Sequence, residues 1–272
     1  MASALPAADD RTLYPVEERV GEDILQRWIM ELLRPLLERY LLERGDECFV
    51  GADQFIYYRQ FDPHARVAPD IYVLPGVAPD TAVPSWKVWE SAIVPSFALE
   101  VASSDWEKDY VQAPSHHAAL GTAELVVFDP YFERRRDGVR FQRYTRRDRS
   151  FVMVDRTNDE CVRSDVLGCL LCAVGSGPRL RLRLASMQAP HALFPTAEEA
   201  EREAREVERQ AKEVERQAKE AERHAKEVER HAKEAERQAK EAERQAKEAE
   251  RQAKDAALAR IAELEAILKQ RS

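Results

Sequence analysis

Cysteine is scarce in this 272-residue chain, which holds only Cys48, Cys161, Cys169 and Cys172. Disulfide-built scaffolds need a far higher density, so the sequence reads as a protein held together by its core, with free, buried thiols. The single CxxC, Cys169 to Cys172, encloses Leu170-Leu171 and lacks the further ligands that zinc requires. Long apolar runs are also missing. No stretch approaches the roughly 18 consecutive apolar residues of a membrane span, and Met1–Asp10 lacks the basic-then-apolar pattern of a signal peptide. The expectation is a soluble, cytoplasmic protein. Positive charge is not in excess: 42 Lys and Arg face 50 Asp and Glu, a net charge of -8. Residues 196–272 hold 19 basic and 21 acidic residues, so neither half is a basic polyelectrolyte of the kind that binds nucleic acid through counterion release. A local basic patch remains compatible with these numbers.

What is present falls into two parts. Residues 1–15 read as a flexible N-terminus. From Gly21 to Leu42, apolar residues recur at helical spacing (Ile24, Trp28, Leu32, Leu36, Tyr40), with Pro35 expected to kink or divide the helix. Strand-like segments follow at Cys48–Tyr58, Val67–Leu74 and Phe97–Ala102. A helix is expected over Trp106–Leu120, with Pro114 splitting it or delaying its start and Gly121 closing it, and then a buried strand over Glu124–Asp129. Strand, helix, strand in that order predicts a βαβ unit. Arg140–Thr145 and Ser150–Val154 read as an antiparallel pair, and residues 160–185 as a further β-rich piece. The expected divisions are a mixed α/β domain over 16–190, a linker over 191–198 and one long helix over 199–272, with Thr196 and Glu199 forming a capping box.

That tail repeats every seven residues, as in ERQAKEA. Its small apolar positions (Val207, Ala211, Val214, Ala218) alternate spacings of four and three, a heptad seam that becomes larger at Ile261, Leu264 and Leu268. Glu208, Glu215 and Glu222 each precede a lysine by four residues, a pairing worth about 0.2–0.5 kcal/mol in an isolated helix. The sequence therefore allows a lone helix about 110 Å long or a weak homo-oligomeric coiled coil.

Two acids stand on otherwise apolar segments: Asp70 in VAPDIYVL and Glu100 in FALEVAS. A buried carboxylate is costly unless it is paired, hydrogen-bonded or metal-bound. Two on neighbouring strands could hold Mg²⁺, which would polarise a phosphodiester and activate water. Structural roles, with Asp70 in a turn and Glu100 in an ion pair, are the competing reading.

At these residues the chain resembles the Uma-two family of restriction endonucleases, within the PD-(D/E)XK nuclease superfamily. The likeness is carried by VAPDIYVLPG, SFALEVASSDWEKDY, ALGTAELVVFDP and the SDVLG of Ser164–Gly168, and runs from about Tyr14 to Leu184. It implies a restriction-endonuclease-like α/β core with a mixed central sheet flanked by helices, DNA as substrate, Mg²⁺ or Mn²⁺ as cofactor, and Asp70 and Glu100 as its ligands. The pattern departs at the lysine. Ala102 stands where the superfamily has Lys, and no lysine lies between Asp109 and Gly121, where Uma-two relatives carry one. His116 as a substitute, Lys108 reaching in from the helix start, and an inactive site are the three outcomes this leaves open. Glu22 or Asp23 is a candidate third acid.

Arg134, Arg135, Arg136, Arg140, Arg143 and Arg146, interleaved with Tyr131, Phe132, Phe141 and Tyr144, form the candidate DNA surface; the alternative is a solvated hairpin. Two functions follow as expectations: a Mg²⁺-dependent endonuclease, or an inactive nucleic-acid-binding or scaffold protein that uses its long helix for association.

Overall fold

The computed structural model describes residues 24–103 and 108–270, with side chains to residue 262. The expectations for residues 1–15, for Glu22 and Asp23, for the Trp106 helix start and for the side chains of Leu264 and Leu268 lie outside the described residues.

Helix α1 (Ile24–Glu43) buries Leu25, Ile29, Met30, Leu33, Leu36, Leu37 and Leu41. This corrects the expected stripe: Ile24 is 61% exposed, and the core face lies one residue further round. Pro35 does not divide the helix, which is continuous through it. Pro35 sits on the exposed face, where water can take the carbonyl left without its i→i−4 partner.

The six-stranded sheet runs β1 (Cys48–Gly51), β4 (Ile71–Pro75), β6 (Phe97–Val101), β7 (Glu124–Phe128), β8 (Phe141–Arg147), β9 (Ser150–Thr157). Within this sheet only β6 and β7 are parallel, and between them the chain makes a turn of π-helix (Lys108–Gln112) and helix α3 (Ala113–Leu120), the expected βαβ unit. Two smaller sheets order as β3 (Arg66–Val67), β2 (Ile56–Tyr57), β5 (Trp86–Lys87) and as β10 (Cys161–Ser164), β11 (Cys169–Val174), β12 (Arg181–Ala185). A short helix, α2 (Val88–Ser91), follows β5. Side chains alternate across each strand. Phe97, Leu99 and Val101 of β6 therefore join the layer made with α1 and the β10–β12 sheet, whereas Ala98 joins the layer containing Leu120 of α3.

The thiols are not all free. Cys161 and Cys172 stand directly opposite each other across β10 and β11 and form a disulfide, while Cys48 and Cys169 are free and buried. Register makes this bond. The two residues are 11 apart in sequence, and their opposition appears only once both strands pair. Residues before the tail are tied to the core as well: Phe194 N–H donates to Leu184 O at 2.7 Å, and Arg39 donates to Pro195 O.

The chain divides into two compact units after Glu199. Helix α4 (Ala197–Gln270) starts at the expected capping box: Glu199 N–H donates to Thr196 Oγ1 at 3.2 Å, and Thr196 N–H donates to Glu199 Oε2 at 2.8 Å. Along α4 the Glu-to-Lys pairs four residues apart are made at 2.5–3.0 Å, from Glu208–Lys212 to Glu250–Lys254, all between exposed side chains. Among the described residues, no helix is long and apolar enough to cross a membrane.

Candidate active site

Asp70 immediately precedes β4, and the β4–β6 register pairs Ile71 with Leu99. Continued by one residue, it sets Asp70 opposite Glu100. Asp70 Oδ2 accepts the Val101 N–H at 2.5 Å, and the Asp70 backbone N–H favours the ionised form of Glu100. From α1, Gln26 Nε2 donates to Asp70 Oδ1 at 2.8 Å. Both carboxyls are buried, with residue exposures of 6% and 9%.

The third partner comes from α3. His117 is fully buried; its Nε2 lies 2.8 Å from Glu100 Oε1, and its Nδ1 lies 3.1 Å from Thr122 Oγ1. Thr122 follows the helix end, where Gly121 adopts φ 102°, a left-handed conformation that favours glycine, and both Gly121 and Thr122 give their N–H to His117 O. The turn that stops the helix thus also sets the hydroxyl behind the imidazole.

Burial, then the Glu100 charge, pushes the Asp70 carboxyl well above the usual carboxylate range. Burial also pushes Glu100 up to about 8; Asp109 adds to this and Lys108 opposes it. Burial lowers His117 to about 3, so the imidazole is neutral. Where Glu100 is ionised it only accepts, so Nε2 carries the proton and Nδ1 accepts from the Thr122 hydroxyl; where Glu100 is protonated it donates to Nε2, and Nδ1 donates to Thr122 Oγ1. Asp53, exposed in the loop after β1 and tied by its N–H to Pro69 O at 3.0 Å, raises both acids further.

A set of bonds fixes the segment after Glu100. Asp129, at the end of β7 and fully buried, accepts from Tyr110 Oη at 2.6 Å and lies 2.8 Å from Arg135 Nε. Arg135 donates to Ser103 O at 2.6 Å, and the Ser103 N–H donates to Asp109 Oδ2 at 2.8 Å. Lys108 stands at the start of this anchored turn, exposed, with its charge acting on Glu100.

Of the residues expected from sequence, Asp70 and Glu100 come together and Lys108 stands near them. His116 does not: it is exposed, and its neighbour His117 takes the place facing Glu100. One residue along a helix is a 100° rotation, enough to turn a side chain from core to solvent. The sequence reading missed His117, Asp53 and Asp109. For His117 a signal existed, since Ala113, His117 and Leu120 are spaced as one helical face. Asp53 lies in a loop with no such pattern.

The basic surface is smaller than expected. Arg143 is buried and bonds Asp165 at 2.8 Å and Glu124 at 3.3 Å; Arg146 donates to Ala118 O at 2.7 Å; Arg135 is committed as above. Phe141 and Tyr144 are buried and offer no ring to a base. Arg134, Arg136 and Arg140 remain at the surface, with Arg134 and Arg140 lying over the rings of Tyr131 and Phe132. A buried arginine sits where it answers a buried carboxylate, here Glu124, and sequence spacing cannot reveal that.

Among the described residues no group of three His, Cys, Asp or Glu is arranged to hold a metal ion. The Asp70–Glu100 pair nevertheless suits Mg²⁺ or Mn²⁺ in donor type. Both offer hard carboxylate oxygens, their mutual charge favours a cation between them, and Mg²⁺ commonly takes one or two carboxylates and completes its shell with water and phosphate.

A family model, Uma2, described as "Putative restriction endonuclease", matches residues 15–162. Among solved structures, the chain is similar to a protein from Anabaena variabilis ATCC 29413, described as a putative nuclease belonging to DUF820. The two share 12% identity over 56% of this chain and 78% of that one, with a TM-score of 0.36. No curated protein matches. The family match spans more than half of the sequence, and the chain belongs to the Uma2 family of restriction-endonuclease-type proteins.

Proposed function

We propose that this protein hydrolyses DNA phosphodiester bonds with a divalent cation, Mg²⁺ or Mn²⁺, bound by Asp70 and Glu100. The observation that carries this reading is the juxtaposition of two buried acids on neighbouring strands, Asp70 standing opposite Glu100 with its Oδ2 accepting the Val101 N–H. The family name supplies DNA as the substrate class. When bound, the cation would act as a Lewis acid and lower the pKa of a water molecule.

The chain's own residues do the rest. Gln26 and the Val101 N–H hold the Asp70 carboxylate in orientation. Neutral His117, backed by Thr122, fixes Glu100 and is a positioning residue, because an uncharged imidazole supplies no positive charge to a developing phosphorane. That charge falls to Lys108, which the Asp129–Arg135–Ser103–Asp109 bonds hold near Glu100. Arg134, Arg136 and Arg140 contribute phosphate contacts.

A second reading, an inactive binding or scaffold protein, draws on the same neutral histidine: no ammonium group projects from α3. Plasmid cleavage with Mg²⁺ or Mn²⁺ separates the two. Wild type is expected to cleave, with Asp70→Ala and Glu100→Ala each at least about 100-fold slower. Equal rates for wild type and both variants defeat the enzyme reading.

A further inference from the structure

Every described side chain of α4 from Glu201 to Ala262 is exposed, including Val207 at 61%, Val214 at 66% and Val228 at 55%. From Val207 to Ala256 the apolar residues occupy only positions spaced alternately four and three apart, over seven heptads. On a straight α-helix a strict seven-residue stripe drifts about 20° per heptad, or about 140° over this length. It stays on one side only if the helix supercoils about a partner. The Glu-to-Lys pairs that stabilise a lone helix need only a spacing of four and are indifferent to that stripe.

The flanks of the stripe select the partner. With Ala211, Ala218 and Ala225 at position a, and Val207, Val214 and Ala221 at d, every e position from Glu208 to Glu250 is glutamate. Every g position from Gln210 to Gln252 is glutamine or histidine. Both flanks are polar, so the stripe is one partner wide. In an antiparallel pair e meets e, which sets a row of glutamates against glutamates. In a parallel pair g meets e of the next heptad, and from Gln210 onward no like charges meet. Glu222 and Glu229 also bond Lys226 and Lys233 of their own helix at 2.5 and 2.6 Å, which softens the antiparallel repulsion but puts no cation at e or g. At 1.5 Å per residue the stripe is about 75 Å long, and a contact strip about 10 Å wide gives roughly 750 Å² per copy, near the ~800 Å² of a standard stable interface.

We propose that α4 pairs in parallel and in register with α4 of a second copy of this chain, as a two-stranded coiled coil over residues 207–256. Gln217 then lies beside Glu222 of the other copy, His224 beside Glu229 and His231 beside Glu236, each contact occurring twice by symmetry. Amide and imidazole N–H groups donate to these carboxylates.

The test uses the full chain and needs no catalysis, so this inference and the endonuclease reading fail separately. Ala221→Cys and Ala249→Cys each face their own counterpart, with Cα atoms about 4–6 Å apart for helix axes about 8–10 Å apart, within disulfide reach. Oxidation by glutathione disulfide is expected to link both variants as covalent dimers. An antiparallel pair has one crossing point and links at most one of them. Arg237→Cys, on the outer face, is expected to stay unlinked. In sedimentation velocity, Gln238→Lys with Gln245→Lys is expected to tighten the dimer about tenfold, because the lysines meet Glu243 and Glu250 of the other copy. Gln238→Glu with Gln245→Glu is expected to weaken it about tenfold. A monomeric wild type, linking at fewer than both seam cysteines, Arg237→Cys linking as readily, or a lysine pair that loosens the dimer would each overturn the proposal.

Discussion

Replacing Glu124 with alanine tests what joins the two larger sheets. Glu124 lies on β7, is fully buried, and accepts from Ser164 Oγ, from the Asp165 N–H at 3.2 Å and from Arg143 at 3.3 Å. Ser164 ends β10, so the carboxylate ties the six-stranded sheet to the β10–β12 sheet. Removing one partner of a buried ion pair costs roughly 3–5 kcal/mol, because the other charge stays behind. Arg143 would keep Asp165, at 2.8 Å, which argues for the lower end. The buried Ser164 hydroxyl and the Asp165 N–H would lose their acceptor, and each such orphan costs about 1–3 kcal/mol. We expect a loss of about 3–5 kcal/mol, or some 6–20 °C in Tm for a domain of this size. Tryptophan fluorescence isolates the transition, since all four tryptophans precede residue 107 and α4 has none. Asp165→Ala should cost less than about 1 kcal/mol, because that carboxylate is half exposed. If Glu124→Ala unfolds within 1 kcal/mol of wild type, or no earlier than Asp165→Ala, this assignment is wrong.

Further predictions concern pH, redox state and the missing lysine. Glu100, raised from 4.5 to about 8, lends stability that is complete below pH 4.5 and gone above about 8; His117, lowered from 6.5 to about 3, lends stability that is complete above 6.5 and lost toward pH 3. Between pH 6.5 and 8 the cation-free protein should therefore lose stability in urea melts as pH rises, and Glu100→Gln should flatten that slope. Reducing the Cys161–Cys172 bond should lower the urea stability by about 2–3 kcal/mol, the value for closing a loop of this length, and dithiothreitol should not affect a Cys172→Ser variant. If the chain cleaves DNA, Lys108→Ala should lower kcat at least about tenfold, with His116→Ala left within about twofold of wild type.

The elements legible in the sequence were those whose signal is local. FALEV and ELVVF are unbroken apolar runs, and both became central strands buried along their whole length. The capping box at Thr196 and the glycine stop at Gly121 are contacts within a few residues, and both formed as expected. The failures came from tertiary register. Nothing near Cys161 or Cys172 announces that β10 and β11 will align them. Nothing in the arginine-rich hairpin says that Arg143 will turn inward to Glu124 while Arg136 stays 97% exposed at its side chain. Pro35 marked a break that did not occur, because a proline on the wet face of a helix leaves its unpaired carbonyl to solvent.

The pair of histidines on α3 shows how one such failure alters the chemistry. A lysine on that helix face would bring an ammonium group, which stays charged beside carboxylates that stabilise it. An imidazole there meets the full cost of burial, and with no exposure it remains neutral. Histidine at this position therefore brings no positive charge to the site and sets its Nε2 2.8 Å from Glu100 Oε1. Lys108, whose charge acts on Glu100, stands in the π-helical turn before α3, so its placement rests on how that turn is anchored and not on the pitch of the helix. Arg135 belongs to this arrangement: counted from sequence among the candidate DNA-contacting arginines, it is spent on Asp129 and Ser103. In the proposed site, an arginine counted for its charge toward DNA instead helps to anchor the turn that carries Lys108.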